Sequence, residues 1–324
     1  MRGFCFELII FELMYEFAII GCGNIARLHA EQISRLGKLS AVCDPDKEKA
    51  DRLASEFKAK AYYSFEEVLS DPSIDIFCIC TPNGYHAEHC IRALQAGRHV
   101  FCEAPLCLTR AGAWQIIETE KFCRKKLFVF NASTAHPAAT ELKTAIKEHT
   151  NGHLYRFDLH CVSKAPADHY QGWRGKIFPG GGALYTDFSN YIDLLISLFG
   201  EIDSVKGTSA NHDTGLVEFE DEGVATVRTV GGIEGTIRWK LGADPLTGPA
   251  FSISGLKKPM IFSAGELSAM VAADAAFYER SYVKFLETLE NGGSSSAGLY
   301  QSTRTIEGIE RIYKAVSPNS FANL

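Results

Sequence analysis

The sequence predicts an α/β protein in two parts, a doubly wound parallel sheet followed by an α+β unit with a mostly antiparallel open sheet. Three observations carry that expectation. From Tyr15 to Asn131, apolar strand-like runs alternate with helix-patterned segments, the rhythm of successive βαβ units. Beyond Asn131, strand-like runs follow one another with little helix between most of them, as in an antiparallel sheet. A chain of 324 residues exceeds one ordinary core, and 46% hydrophobic residues suffice to build two. The expected division is 1–13 as an N-terminal extension, 14–133 as a first domain and 134–324 as a second, with the boundary near Ser133.

Residues 1–13 (MRGFCFELIIFEL) are apolar and begin with an Arg, but Glu7 and Glu12 interrupt the run and no small-residue cleavage site follows, which argues against export. Met14 is then an alternative initiator. Phe17–Ile20 reads as a buried strand that runs into Gly21-Cys22-Gly23, after which Ile25, Leu28, His29 and Ile33 recur at helical spacing. Strand, glycine turn and helix form the fingerprint of a dinucleotide-binding (Rossmann) domain. Gly21 serves the tight turn, Gly23 lets the backbone approach a pyrophosphate, and Ala26 is the small residue where helix meets strand. Asn24 and Ile25 open the helix, whose free N–H groups face the phosphates. Alone, such glycines often serve only a turn. The next strand adds weight: Leu39–Cys43 ends in Asp44, 21 positions after Gly23, where a carboxylate accepts hydrogen bonds from the adenosine ribose. Asp44 would also repel a 2′-phosphate and no Arg follows it closely, so the expected cofactor is NAD rather than NADP.

Asp44-Pro45 turns the chain into a helix over 46–57, and a short strand follows at 60–63. Ser64 with Glu67 reads as a capping box for the helix Phe65–Leu69. Ile74–Cys80 is apolar enough for a strand buried on both faces, and it delivers Thr81-Pro82-Asn83 to the ligand-binding carboxyl edge. A helix Tyr85–Ala96 closed by Gly97, the strand Val100–Cys102, the tripeptide Glu103-Ala104-Pro105, a helix Ala111–Lys125 and the strand Leu127–Asn131 complete the first unit. The second opens with a helix, Ala138–Glu148. Its expected strands are Leu154–Val162, Gly215–Glu220, Val224–Val230, Thr236–Lys240, Phe251–Ser254 and Pro259–Phe262. One long helix, Ala183–Phe199, follows the Gly180-Gly181-Gly182 turn, and helices over 275–290 and 297–314, joined by the flexible Gly292–Ser296 stretch, close the chain.

Composition excludes several function classes. A net charge of −6 without a long basic run argues against nucleic acid, and no run of ~20 apolar residues suits a membrane span. The ten cysteines lie mostly in apolar runs without a CxxC pair, so they read as reduced core residues of a cytoplasmic protein. His89, His99, His136 and His169 lack metal-ligand spacing, and no metal is expected. Ser133 and His136 stand in no nucleophile-elbow pattern, against a hydrolase.

Several segments together, GCGNIARLHA, TPNGYHAEHC, AGRHVFCEAPLCLT, GGGALYTDFSNYIDLL and the closing YVKFLETLENGG to IERIYKA, resemble the glucose-fructose oxidoreductase, inositol dehydrogenase and MocA family of nicotinamide-dependent oxidoreductases. The resemblance runs from about Tyr15 to Ala315. It implies that Thr81, Pro82, Asn83, His86 and Glu103 lie toward the cofactor, although a His opening a helix is otherwise a common surface residue. Within the family, KAPADHYQGWRGK and RWKLGADP look most like enzymes that oxidise UDP-N-acetylglucosaminuronic acid at C3. A sugar or sugar-nucleotide ligand is thereby implied, with Lys164, Trp173, Arg174, Thr186 and Asn190 at its site, although Trp173-Arg174-Gly175 also reads as a simple turn.

This chain departs from the family where chemistry is concerned. The family's Glu-Lys-Pro is Glu103-Ala104-Pro105, and its Asp, His and Asp of the second motif are Thr186, Asn190 and Asp193. Ala104 cannot move a proton, and an Asn amide has no useful pKa. Asp193 is as readily a helix anchor as a ligand contact. Two readings follow. One is a catalytically weak or silent relative that keeps the cofactor, a possible pseudoenzyme, acting alone or beside an active paralogue. The other is an active NAD-dependent sugar oxidoreductase with another base. Asp187 and Tyr191 sit one residue from the family positions, a rotation of ~100° on a helix, while Lys164, His169 and Tyr170 lie in a loop-like segment ahead of the glycines. The family pairs subunits through its second sheet, so a homo-oligomer, at least a dimer, is expected, with the run Val224–Val230 offering an apolar face.

Overall fold

The computed structural model describes residues 15–131, 136–150, 155–212, 215–242, 250–293 and 296–317. The expected extension 1–13, Met14 and the boundary at Ser133 lie outside the described residues.

The first sheet is built from β1 (Glu16–Ile20), β2 (Lys38–Cys43), β3 (Lys60–Tyr62), β4 (Ile76–Ile79), β5 (His99–Cys102) and β6 (Leu127–Val129), in the order β3-β2-β1-β4-β5-β6. All of its pairings are parallel. Helices α1 (Asn24–Leu36), α2 (Lys47–Phe57), α3 (Phe65–Leu69), α4 (His86–Gln95) and α5 (Arg110–Cys123) supply the connections. Strand order reverses between β1 and β4, so their carboxyl ends open the crevice where such sheets bind ligands. Every residue of β4 is buried, which explains its unbroken apolar sequence.

The second unit begins with α6 (Pro137–Thr150) and a sheet of order β12-β11-β7-β10-β9-β8, formed by β7 (Arg156–Ser163), β8 (Ile202–Ala210), β9 (Glu222–Thr229), β10 (Glu234–Leu241), β11 (Phe251–Ser254) and β12 (Met260–Phe262). Its pairings are antiparallel except β7 with β10, which is parallel. Along β9 burial alternates residue by residue: Ala225 and Val227 face the core, while Glu222, Val224, Thr226 and Arg228 face outward. The more apolar half of the Val224–Val230 run is thus turned inward, and its outer half is mixed.

Three expectations are corrected here, and two elements are added. Gly215–Glu220 is not a strand but an irregular segment, in which Glu218 N donates to Gly175 O at 2.8 Å and buries Val217 and Phe219. The long helix Ala183–Phe199 is broken at Asp187-Phe188 into a short turn over 183–186 and α7 (Ser189–Phe199). There the N–H groups of Asp187 and Phe188 both donate to Ala183 O, which closes the first turn instead of extending it. Ser64 makes no side-chain cap to α3. The capping box lies instead at Ser263 and Glu266, opening the unexpected helix α8 (Ala264–Val271). Strand β8 was also unexpected, because its mostly exposed sequence IDSVKGTSA lacks an apolar face.

The last two helices return to the first unit. From α9 (Ala275–Glu290), Phe277, Tyr278, Tyr282, Phe285 and Leu286 are buried in the core that holds Phe17, Ile19 and Phe101. Tyr282 stacks on Phe101 at 4.2 Å and Tyr278 on Phe130 at 4.0 Å. At about 1.5–3 kcal/mol per fully buried side chain of this size, burial is a main force holding α9 to the back of the first sheet, beside the hydrogen bonds of Tyr278 to Glu103 and of Tyr282 to His29. Helix α10 (Ser296–Val316) spans both units, bonding Arg110 and Trp114 of α5 through Glu310 and Glu307 and Asp193 of α7 through Thr305.

Candidate functional site

A cavity of about 750 Å³ opens at the carboxyl ends of β1, β2, β4 and β5. Its wall brings together every residue expected at the cofactor: Gly21, Gly23, Asn24, Ile25, Asp44, Thr81, Pro82, Asn83, His86 and Glu103. The two glycines have different reasons to be there. Gly21 has φ +94°, and a Cβ would lie 2.7 Å from Cys80 O, so the turn itself requires glycine. Gly23 has φ −73° and a Cβ there would meet nothing within 4 Å, so the fold itself does not require glycine at this place in the cavity wall. Asp44 is oriented by the chain, its Oδ2 accepting from Cys22 N at 2.8 Å and its Oδ1 from Asp46 N at 2.9 Å.

At the other end of the cavity stand Ala104, Trp173, Arg174 and Thr186. The Arg174 guanidinium lies 4.4 Å over the Trp173 ring, and burial pushes its pKa down against the opposing charge of Asp187. Glu103, next to Ala104, is held through both oxygens: Oε1 accepts from His29 Nε2 at 2.7 Å and from Tyr278 OH at 3.0 Å, and Oε2 from Ala104 N at 3.1 Å. His29 is completely buried, and its Nδ1 lies 2.7 Å from Tyr282 OH.

Two expected cofactor residues act on the protein as well as the cavity. His86 is buried, its ring lying between the ends of β4 and β5 with Nδ1 2.8 Å from Pro105 O and Nε2 2.7 Å from Thr81 O. Burial lowers its pKa. Asn83 Nδ2 donates to Gly180 O at 2.9 Å and fixes the glycine turn of the second unit to the cavity rim.

Other expected residues stand apart from this wall. Lys164, Asn190, Asp187, Tyr191 and Asp193 are not among its lining residues. Asp193 is buried and its Oδ1 accepts from Thr305 Oγ1 at 2.6 Å and Gln301 Nε2 at 3.1 Å, which anchors α7 to α10. Asp187 accepts from Ser163 Oγ at 2.9 Å, Thr186 Oγ1 at 2.8 Å and Tyr170 OH at 3.2 Å, with His169 Nε2 at 3.7 Å. Tyr191 packs against Phe188.

Sequence reasoning did not place Lys49, Tyr63, Tyr85, His89 or Cys80 on the wall. His89 is neutral there, its pKa pushed down to about 4 by burial, and its Nδ1 lies 3.1 Å from Thr81 Oγ1. The sequence signal for these residues was proximity to Asp44 or to Thr81-Pro82-Asn83 and, for Tyr63, its place at the end of the expected strand 60–63. The partnership of His29 with Tyr278 and Tyr282 had none.

Residues 15–131 match the oxidoreductase family described as an NAD-binding Rossmann fold, and residues 139–258 match the GFO/IDH/MocA C-terminal domain. The chain belongs to the GFO/IDH/MocA family. Its curated relatives include the D-xylose 1-dehydrogenase (NADP(+)) of Hypocrea jecorina, 34% identical over 32% of this chain and 27% of that protein. Another is the D-glucoside 3-dehydrogenase of Escherichia coli, 29% identical over 60% of this chain and 56% of that protein. The match thus spans less than two-thirds of either relative. Among solved structures, the WlbA dehydrogenase from Bordetella pertussis, in complex with NADH and UDP-GlcNAcA, superposes with a TM-score of 0.81 at 22% identity, covering 95% of this chain and 96% of that one. This GFO/IDH/MocA chain therefore has the family's NAD-binding Rossmann unit followed by its C-terminal domain. Among the described residues, no helix is long and apolar enough to cross a membrane.

Proposed function

We propose that this GFO/IDH/MocA protein binds NAD and a sugar or sugar-nucleotide ligand in the cavity, and that it transfers hydride weakly or not at all. The observation that carries this reading is Ala104 in the cavity wall, beside a Glu103 whose two oxygens are already bonded. Oxidising an alcohol carbon requires its hydroxyl proton to leave, and a positioned base typically contributes ~10² to 10⁴ in rate. The wall at Ala104 offers a methyl, a carboxylate already hydrogen-bonded on both oxygens, a guanidinium and the Thr186 hydroxyl, with the buried His86 ring between Pro105 O and Thr81 O. Arg174 and Trp173 suit an anionic, ring-bearing ligand such as a sugar nucleotide, in keeping with the ligand of the WlbA complex. Asp44 favours NAD over NADP by charge. The protein pairs through the outward face of its second sheet.

A second reading, an active oxidoreductase with another base, draws on Asp187, which is bonded to Thr186 of the wall and has His169 at 3.7 Å. Single-turnover mixing with NAD and UDP-N-acetylglucosaminuronic acid separates the two. The proposal expects NAD to bind and no more than trace NADH to form. Rapid NADH formation that is lost in Asp187→Asn would replace it with the second reading.

A further inference from the structure

Beneath the cofactor cavity, three side chains from distant parts of the chain converge. His29 of α1, Cys78 of β4 and Cys80 just after that strand place one ligand-type atom each within 4.8 Å of one another. His29 and Cys78 have no exposed surface, whereas Cys80 is half-buried and forms part of the cavity wall. We propose that these three residues bind one divalent, thiophilic cation of the zinc type.

Four features point to such an ion. Cys78 and Cys80 point to the same side of the strand, and their Sγ atoms are 3.6 Å apart. Two thiolates on one tetrahedral zinc, at ~2.3 Å each, stand about 3.8 Å apart. The His29 nitrogen belongs about 3.6 Å from each sulfur by the same geometry, so it has at most about 1.2 Å to close. Second, His29 is already oriented as a ligand. Its Nε2 faces the Glu103 carboxylate at 2.7 Å, which leaves Nδ1 as the ligand atom in a carboxylate–histidine–metal arrangement. Third, the Tyr282 hydroxyl lies 2.7 Å from His29 Nδ1 and 3.2 Å from Cys78 Sγ, where it can complete the coordination. Fourth, the charges balance: two thiolates neutralise a dication in a buried place, whereas a monovalent ion would leave one negative charge uncompensated. Binding forms two metal–sulfur bonds and one metal–nitrogen bond, and the two S–H protons leave to solvent without any redox step. Cys80 in the wall gives the ion its route in.

The full chain, stripped with chelator, is titrated with Zn²⁺ against a chromophoric competitor, and calorimetry in buffers of different ionisation enthalpy counts the protons released. One ion per chain and about two protons per ion are expected. Substitution by Co²⁺ is expected to give a thiolate-to-metal charge-transfer band and the visible bands of a tetrahedral site. The double variant Cys78→Ser with Cys80→Ser should lose affinity at least about a hundredfold, the most that losing an outer hydrogen-bond partner alone costs. NAD binding is followed in parallel, and Cys123→Ser, away from the cluster, should bind zinc as the unmodified chain does. Absence of stoichiometric zinc, undiminished binding by the double variant, or a Co²⁺ spectrum without thiolate bands would each overturn the proposal. The Co²⁺ spectrum of the unmodified chain decides the matter if the double variant does not fold.

Discussion

Ala104→Lys puts a proton acceptor back where the cavity wall now has a methyl. Three features of the site set the size of the effect. The cavity holds about 750 Å³, so the longer side chain extends into open space and avoids the ~1–3 kcal/mol that overpacking costs in a closed core. Glu103, whose Oε2 holds Ala104 N at 3.1 Å, supplies a neighbouring negative charge, while Arg174 in the same wall opposes a second cation. A positioned base is worth ~10² to 10⁴ in rate, or about 2.7–5.5 kcal/mol of barrier. Because Asn190 is not among the lining residues, Asn190→His alone should gain less than about tenfold. The double variant should exceed both singles, since a base and its partner act as a unit. The assay is NADH formation from NAD and UDP-N-acetylglucosaminuronic acid, with NAD affinity and thermal stability measured on the same preparations. An Ala104→Lys protein that folds, binds NAD as before and gains less than about tenfold would refute the claim that the missing lysine limits hydride transfer.

Asp44→Ala should weaken NAD and narrow its advantage over NADP, and calorimetry showing that the unmodified protein prefers NADP would reverse that assignment. His29→Leu removes the two 2.7 Å hydrogen bonds to Glu103 and Tyr282, so urea unfolding should show a loss of about 2–5 kcal/mol, and a loss below about 1 would mean the pair is not holding α9 to the sheet. Glu220 is raised to about 7, chiefly by burial, and so stays protonated in the folded chain after it has ionised in the unfolded one. Between about pH 4.5 and 7 the folded state then holds more protons, and stability falls as pH rises by up to about 3 kcal/mol from this group. Glu220→Gln should flatten that slope in thermal scans, and an unchanged slope would assign it to other groups.

The parallel sheet was legible because β1, β4 and β5 are buried on both faces and must be written in apolar residues. β8 escaped notice for the converse reason: an exposed strand paired along β9 needs only backbone hydrogen bonds, and IDSVKGTSA shows no period. The break at Asp187-Phe188 is invisible to periodicity, since it depends on Asp187 bonding Ser163 and Tyr170 from another segment. At the site, Gly21, Gly23, Asp44 and Thr81-Pro82-Asn83 were readable because a strand end fixes them locally. What lay beyond reading was contact across the chain. His29 meets Tyr282 only because α9 returns to the first sheet, and with it comes the environment of Cys78 and Cys80.

The central claim is that the cavity before α1 is a working nucleotide site, and Gly23→Ala tests it most directly. A Cβ at Gly23 would meet no atom of the protein within 4 Å, and its φ of −73° suits any residue. Folding should therefore change by no more than about 1 kcal/mol, the usual difference at a helix N-cap. A pyrophosphate seated on that turn would instead meet the added methyl. Calorimetric titration is expected to find one NAD per chain for the unmodified protein and at least about a tenfold weaker affinity, 1.4 kcal/mol or more, for Gly23→Ala. Equal NAD affinity in the two proteins, or no NAD binding by either, would contradict the account.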